Sequence, residues 1–174
     1  KMIENIDKPA LSALWPNKTN MSVVLDLGAN IECSPKNLID FSLMGSALFK
    51  SLYPNDTARV ALLNIGSEEL KGNETIKETY QQLNQRNNTG FEFKGYIEGN
   101  QLMNGDVNVI VADGFTGNVA LKTAEGTANF IISELKKAMT GNIIGKISSL
   151  LNISNLKKFK ARLDPRLYNG AIFI

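Results

Sequence analysis

A mostly parallel β-sheet flanked by helices, a three-layer, Rossmann-like α/β fold, is what this sequence predicts. Residues 22–27 (SVVLDL), 58–65 (ARVALLNI) and 107–112 (VNVIVA) are strand-length apolar runs without alternation. That is the pattern of strands covered on both faces. Each run ends in a glycine-containing loop that leads into a stretch of helical period. Finally, 174 residues with 43% apolar content suffice for one domain with a real core.

Taken in order, residues 1–20 combine Pro9, Pro16 and the polar turn Asn17-Lys18-Thr19-Asn20 with Ile6, Leu11, Leu14 and Trp15. They read as a short helix or loop feeding the sheet. The strand at 22–27 carries one carboxylate, Asp26, and ends at Gly28-Ala29-Asn30. Ser34-Pro35 supplies an N-cap and a first-turn proline for a helix over 35–52, with Leu38, Phe41, Met44, Ala47 and Leu48 on its inner face. After strand 58–65 and its loop, a helix over 74–86 has the inner stripe Ile76, Tyr80 and Leu83. Residues 91–97 form a further short strand. Strand 107–112 runs into the loop 113–118, and a long helix is predicted from Asn118 to about Met139, with Gly126 in its interior at a cost of about 1 kcal/mol.

Residues 141–163 are read as a basic amphipathic helix-turn-helix, so that 118–163 forms one protruding helical element of the single domain. Ile143, Ile147, Leu150 and Leu151 fall at i, i+4, i+7 and i+8, and Ile144, Ile153, Leu156 and Phe159 widen the stripe. Lys136, Lys137, Lys146, Lys157, Lys158, Lys160 and Arg162 flank it. Periodicity alone points first to helix packing or a dimer interface. The sharper alternative is a tip entering an anionic membrane surface.

Composition excludes several classes. A net charge of +2 is too small for a polybasic nucleic-acid binder. The single cysteine, Cys33, excludes an internal disulfide and suits a reducing cytosol. No run approaches the ~20 apolar residues of a membrane span, and the reading is of a cytoplasmic protein. With no histidine, Ser-His-Asp and Cys-His catalysis and His-ligated metals are excluded within this segment. No cofactor and no metal are expected.

In open α/β sheets, ligands bind beyond the carboxyl ends of the strands. The loops at 28–30, 66–73 and 113–118 all leave strands at that edge and are expected to converge. The candidate side chains there are Asp26, Asn30, Glu68, Lys71, Asn73, Asp113 and Asn118, with backbone contributed at Gly66, Ser67, Gly72, Gly114 and Gly117. Lysine, asparagine and free N–H groups suit a phosphate or a developing oxyanion. Plainer roles stand beside each. Lys71 can be a surface lysine, Glu68 a solvated acid, the asparagines helix caps, Asp26 and Asp113 acceptors for loop N–H groups, and Cys33 an inert thiol. The spacing from Gly66 to Lys71-Gly72 is P-loop-like, but the lysine precedes the second glycine and no Lys-Ser/Thr pair follows, which rules out a nucleotide P-loop.

LLNIGSEELKGNET (62–75), with VLDLGAN (24–30), FSLMGSALF (41–49), YIEGN (96–100), GDVNVIVADGFTGNVALKTAEG (105–126) and RLDPRLYNGA (162–171), resembles the phosphate acyltransferases of bacterial phospholipid synthesis. The resemblance covers nearly all of the chain, in order. It implies conversion of an acyl-(acyl carrier protein) and inorganic phosphate into an acyl phosphate. It also implies a homodimer, a peripheral membrane contact through an apolar tip of Ile143, Ile144, Ile147, Leu150 and Leu151, and further sequence on both sides of this segment. A downstream glycerol-3-phosphate acyltransferase is a further expected partner, and nucleic acid is not. In this reading Lys71 and Asn73 hold phosphate, Asn30 or Asn118 with loop N–H groups faces the oxyanion, and Asp113 completes the catalytic set. The alternatives are a CoA-linked phosphate acyltransferase, a decarboxylating dehydrogenase of similar sheet, for which a dinucleotide fingerprint and a carboxylate metal cluster are missing, and a non-catalytic membrane scaffold.

Overall fold

A computed structural model of the chain describes residues 6–86, 90–163 and 172–173. The RLDPRLYNGA segment beyond residue 163 lies outside the described residues, and a two-residue strand at 172–173 follows it. The element order is β1 (Leu11–Pro16), β2 (Met21–Leu25), α1 (Pro35–Leu52), β3 (Arg59–Asn64), α2 (Glu74–Gln85), β4 (Glu92–Glu98), a 3₁₀ turn (Gly99–Gln101), β5 (Val109–Val111), α3 (Gly114–Thr140), α4 (Ile143–Leu151), α5 (Ile153–Leu163) and β6 (Ile172–Phe173).

The strands form one sheet in the order β4-β3-β5-β2-β1-β6. Its centre is parallel: Ile110 of β5 lies between Val24 of β2 and Ala61 of β3, and Val111 between Leu25 and Leu62. All six of these residues are buried, as their unbroken apolar runs require. Two separate hydrophobic clusters lie on the two sides of the sheet. One joins Leu25, Val60, Leu62 and Val109 to Leu38, Phe41, Met44 and Phe49 of α1 and Ile76 and Leu83 of α2. The other joins Val24, Ala61, Ile110 and Ala112 to Trp15, Leu102 and Leu121 of α3. Helix, sheet and helix make the three layers.

Between Leu11 and Asn20 the chain departs from expectation. Leu11–Pro16 is a strand antiparallel to β2, with Ser12 opposite Leu25 and Trp15 opposite Ser22. The polar turn that ends the segment is a hairpin turn. Asn17 accepts from the backbone N–H groups of Thr19 and Asn20 through its side-chain oxygen and donates to Ser22 Oγ at 2.9 Å. The two prolines bracket the strand rather than forbid it, since Pro16 is its last residue.

Helix α1 matches its predicted bounds, but its inner face is rotated. Leu38, Phe41 and Met44 are buried as expected, but Gly45 and Phe49 complete the inner face in place of Ala47, which is exposed, and Leu48, which is only half-buried. Gly45 sets this orientation: a Cβ there would lie 2.7 Å from Val109 Cγ1 and 2.8 Å from Leu25 Cδ2. Helix and sheet touch through that glycine, and the larger side chains are placed around it. In α2, Thr79 is buried at the predicted place of Tyr80, which is half-buried. Helix α3 begins at Gly114, four residues earlier than predicted, because Asp113 is its N-cap. Among the described residues no helix is long and apolar enough to cross a membrane.

Two glycines should respond oppositely to alanine. Gly45→Ala overpacks the α1–sheet contact and should destabilise by about 1–3 kcal/mol. Gly126→Ala, in mid-helix with nothing within 4 Å of the added carbon, should stabilise by up to about 1 kcal/mol. Urea denaturation of both variants beside wild type checks the signs.

Candidate active site

Three of the helices begin at the carboxyl edge of the sheet, and each has its own cap. Ser34 accepts from Asn37 N in a reciprocal capping box at α1, Asn73 accepts from Ile76 N at α2, and Asp113 accepts from Thr116 N at α3. Between these three ends lies a cleft of ≈ 440 Å³, lined by Glu32, Cys33, Asn73, Thr75, Asp113 and Thr116 among others. Of the loops expected to converge, Asn73 of 66–73 and Asp113, Phe115 and Thr116 of 113–118 line this cleft, while 28–30 is represented only by its neighbours 31–33. Thr75 and Phe115 occupy first-turn positions, whose N–H groups have no intrahelical acceptor. The positive ends of three helix dipoles focus on the same small volume.

Asp26 builds this arrangement from behind. It is fully buried. Oδ1 accepts from the N–H groups of Leu11 (3.0 Å), Gly28 (3.2 Å) and Ala29 (3.0 Å), and Oδ2 from the Asn30 N–H (2.7 Å) and the Asn30 side-chain amide (2.8 Å). The carboxylate thus stands in place of the strand that β2 no longer continues, gathering the β2–α1 loop around itself. Asn30 donates onward to the Pro9 carbonyl at 2.7 Å, and its own carbonyl accepts from Gly114 N at 2.8 Å. The start of α3 lies against this loop backbone-to-backbone. A Cβ on Gly117 would be 1.9 Å from the Asp26 carbonyl oxygen, and one on Gly114 would be 2.5 Å from that of Asn30. No side chain fits at either position, so these glycines bring the third helix end to the cleft.

The predicted residues divide accordingly. Asn73 and Asp113 line the cleft, both as caps. Asn30, Gly114 and Gly117 form its supporting wall. Asn118 lies in the second turn of α3 and packs over Gly28, where a Cβ would lie 3.6 Å from Asn118 Cβ. It is not a helix cap. Gly66, Ser67 and Lys71 belong to the β3–α2 loop beside the cleft, and Lys71 is exposed. Glu32 and Asp113 bring two carboxylates to the lining, so a dianion bound here needs a cation delivered to it. Lys8 Nζ donates to the carbonyl of Glu32 at 3.1 Å and so stands at this rim, whereas Lys71, two residues before the α2 cap, lies outside the lining.

Reading the sequence alone missed Thr116, whose hydroxyl donates to Asp113 Oδ2 at 2.8 Å, and Thr75, Glu32, Ile31 and Phe115. The signal for Thr116 was present: an aspartate with its acceptor reaching three residues on marks a helix start at Gly114. Ile31 and Phe115 remain 72% and 64% exposed at the lip, which no periodicity announces. At the far end of α3, the predicted tip residues Ile143, Ile144, Ile147, Leu150 and Leu151 are all exposed on α4.

A mostly parallel α/β sheet with three helix N-termini at its carboxyl edge places the cleft where such folds usually bind their ligands. The fold is shared with phosphotransacetylases: a EutD phosphotransacetylase from Staphylococcus aureus superposes with a TM-score of 0.54 at 14% identity, over 74% of this chain and 45% of that one. A phosphotransacetylase from Streptococcus pyogenes gives 0.55 at 16% identity, over 73% and 44%. The chain belongs to the fatty acid synthesis protein family, which matches residues 1–174. Among its relatives are the phosphate acyltransferases of Pelagibacter ubique, 94% identical over the whole chain and 52% of that protein, and of Rhodospirillum rubrum, 44% identical over the whole chain and 50% of that protein. The resemblance seen in the motifs is thereby borne out. The chain spans about half the length of these relatives.

Cys33 lies on the cleft wall, half-buried, and its thiol is pushed up to about 11, first by burial and further by the charges of Asp26 and Asp113. The Gly114 backbone and Lys8 act in the opposite direction and are outweighed. At pH 8 only about one thiol in a thousand is then ionised. Iodoacetamide labelling of Cys33 should be slow at pH 8 and rise about tenfold per pH unit up to roughly pH 10. A labelling rate already level near pH 8.5 would contradict the buried, acid-flanked environment.

Proposed function

We propose that the protein containing this segment transfers an acyl group from acyl-(acyl carrier protein) to inorganic phosphate, giving an acyl phosphate and free carrier protein. The observation that carries this reading is the meeting of three capped helix N-termini in one cleft, in a chain whose relatives are named phosphate acyltransferases. Phosphate is already anionic near neutral pH and can attack a thioester carbonyl without a strong base, and the departing thiolate needs little proton assistance. The absence of histidine is therefore no obstacle. Positioning and oxyanion stabilisation carry the rate, one well-placed donor contributing about 3 kcal/mol.

In this mechanism Lys71 and the α2 N-terminus at Asn73 hold the phosphate. First-turn N–H groups of α3 face the carbonyl oxygen as it becomes an oxyanion, with Asn118 as the nearby side-chain candidate. Asp113 and Asn30 keep the α3 end and the β2–α1 loop in register. Ile31 and Phe115 at the lip suit the apolar part of an acyl thioester. The exposed apolar face of α4, with Lys146 on the same helix and Lys157, Lys158 and Lys160 on α5, suits peripheral attachment to an anionic membrane, where an acyl phosphate can pass to a glycerol-3-phosphate acyltransferase. A homodimer and a cytoplasmic location complete the reading. The same lysines would also attract an acidic carrier protein.

Two experiments on the full-length protein test it. Lys71→Ala should lower phosphate-dependent release of free thiol from acyl carrier protein about a hundredfold, and unchanged turnover removes Lys71 from the site. Acyl-CoA run in parallel as donor decides between the two thioesters. Vesicles rich in anionic lipid should co-sediment wild type and lose Ile147→Asp, and equal sedimentation of the two rules out the α4 tip.

A further inference from the structure

The β3–α2 loop, residues 65–72, is held closed by one buried side chain. Asn64, the last residue of β3, is 8% exposed. Its Oδ1 accepts from the Ile65 N–H at 2.9 Å, and its Nδ2 donates to the Lys71 carbonyl at 3.0 Å. One amide therefore binds both ends of the loop. Its neighbour Gly72 adopts φ +95°, and a Cβ there would lie 2.5 Å from Asn64 Oδ1. Only glycine lets the chain turn that closely around the asparagine. Inside the loop, Lys71 N donates to the Glu68 carbonyl at 2.9 Å, and Tyr80 of α2 donates to Glu69 Oε1 at 3.0 Å from outside. The loop backbone is pinned at both ends and in the middle, while Ile65, Leu70 and Lys71 project outward.

We infer that Asn64 is a positioning residue, which sets the Lys71 backbone and with it the side chain offered to the anion at the α2 N-terminus. The inference rests on the reading of Lys71 given under Proposed function and goes beyond it by assigning the residue that holds the lysine there. Asn64 touches no substrate in this scheme. An untethered loop of eight residues samples many backbone states, and each places the amine differently. Fixing the carbonyl of Lys71 itself, rather than a residue further along, restricts the lysine most directly.

The test uses the full-length protein and steady-state thiol release with phosphate and acyl carrier protein thioester varied separately. Asn64→Asp keeps the acceptor for Ile65 and replaces the donor to Lys71 with a second acceptor. Gly72→Ala breaks the same clamp from the other side, so a folding defect in one variant leaves the other informative. Each should raise KM for phosphate about tenfold, the equivalent of one lost hydrogen bond, with the KM for thioester unchanged. In a Lys71→Ala background Asn64→Asp should add no further rise. A phosphate KM that stays at the wild-type value in both variants, or a loss spread equally over both substrates, overturns the assignment while leaving Lys71 in place. A wild-type phosphate KM in Lys71→Ala instead overturns the reading beneath it.

Discussion

One buried carboxylate organises the edge of this sheet. Asp26 sits where β2 stops, fully enclosed, and accepts five hydrogen bonds from three consecutive loop N–H groups, the Asn30 amide and the start of β1. A charge in that position would be strongly unfavourable without such partners, and hydrogen bonds to a charged group contribute about 1.5–3 kcal/mol each. The loop N–H groups would in turn be unsatisfied without the charge. Each side of the arrangement makes the other tolerable, so the loop has one shape. Because that shape leaves the carbonyls of Asp26 and Asn30 facing outward, the glycines at 114 and 117 can seat α3 directly on it.

Everything at the cleft follows from that seating. A helix end is a useful anion ligand only if its N–H groups are held toward the ligand and its cap does not occupy all of them. Asn73 takes the Ile76 N–H and Asp113 the Thr116 N–H, while α1 opens on Pro35, which has no N–H to offer. The asparagines of this chain show how context decides a side chain's use. Asn73 caps a helix, Asn30 bridges a carboxylate and a proline carbonyl, Asn64 closes a loop, and Asn17 closes a hairpin.

The two ends of α3 serve different purposes. Its first turns are packed by backbone contact and bury Gly114, Gly117 and Leu121. Beyond them the helix leaves the sheet, and with α4 and α5 it carries a row of exposed apolar side chains. A helix of 27 residues is about 40 Å long, which separates the site from the apolar tip by more than the width of the sheet. A rigid rod of this kind lets one end be set by the fold and the other by whatever it meets.

Strands β2 to β5, their parallel arrangement, the bounds of α1 and α2 and the basic amphipathic character of α4 and α5 were legible in the sequence, because burial on two faces and helical period leave local marks in residue order. The glycine loops themselves supply no glycine to the lining of the cleft, which is made by the residues that follow them and by the helix starts. Which residues of those loops face the cleft was not legible, nor was the β1 hairpin, the rotation of α1 about Gly45, or the clamp at Asn64. Those features depend on distances between segments far apart in the chain: Asn30 to Gly114, Asp26 to Gly117, Gly45 to Val109. Local composition determines which elements form and which face they hide. Only the packed backbone decides how closely two of them approach, and here that approach selects which side chains reach the cleft.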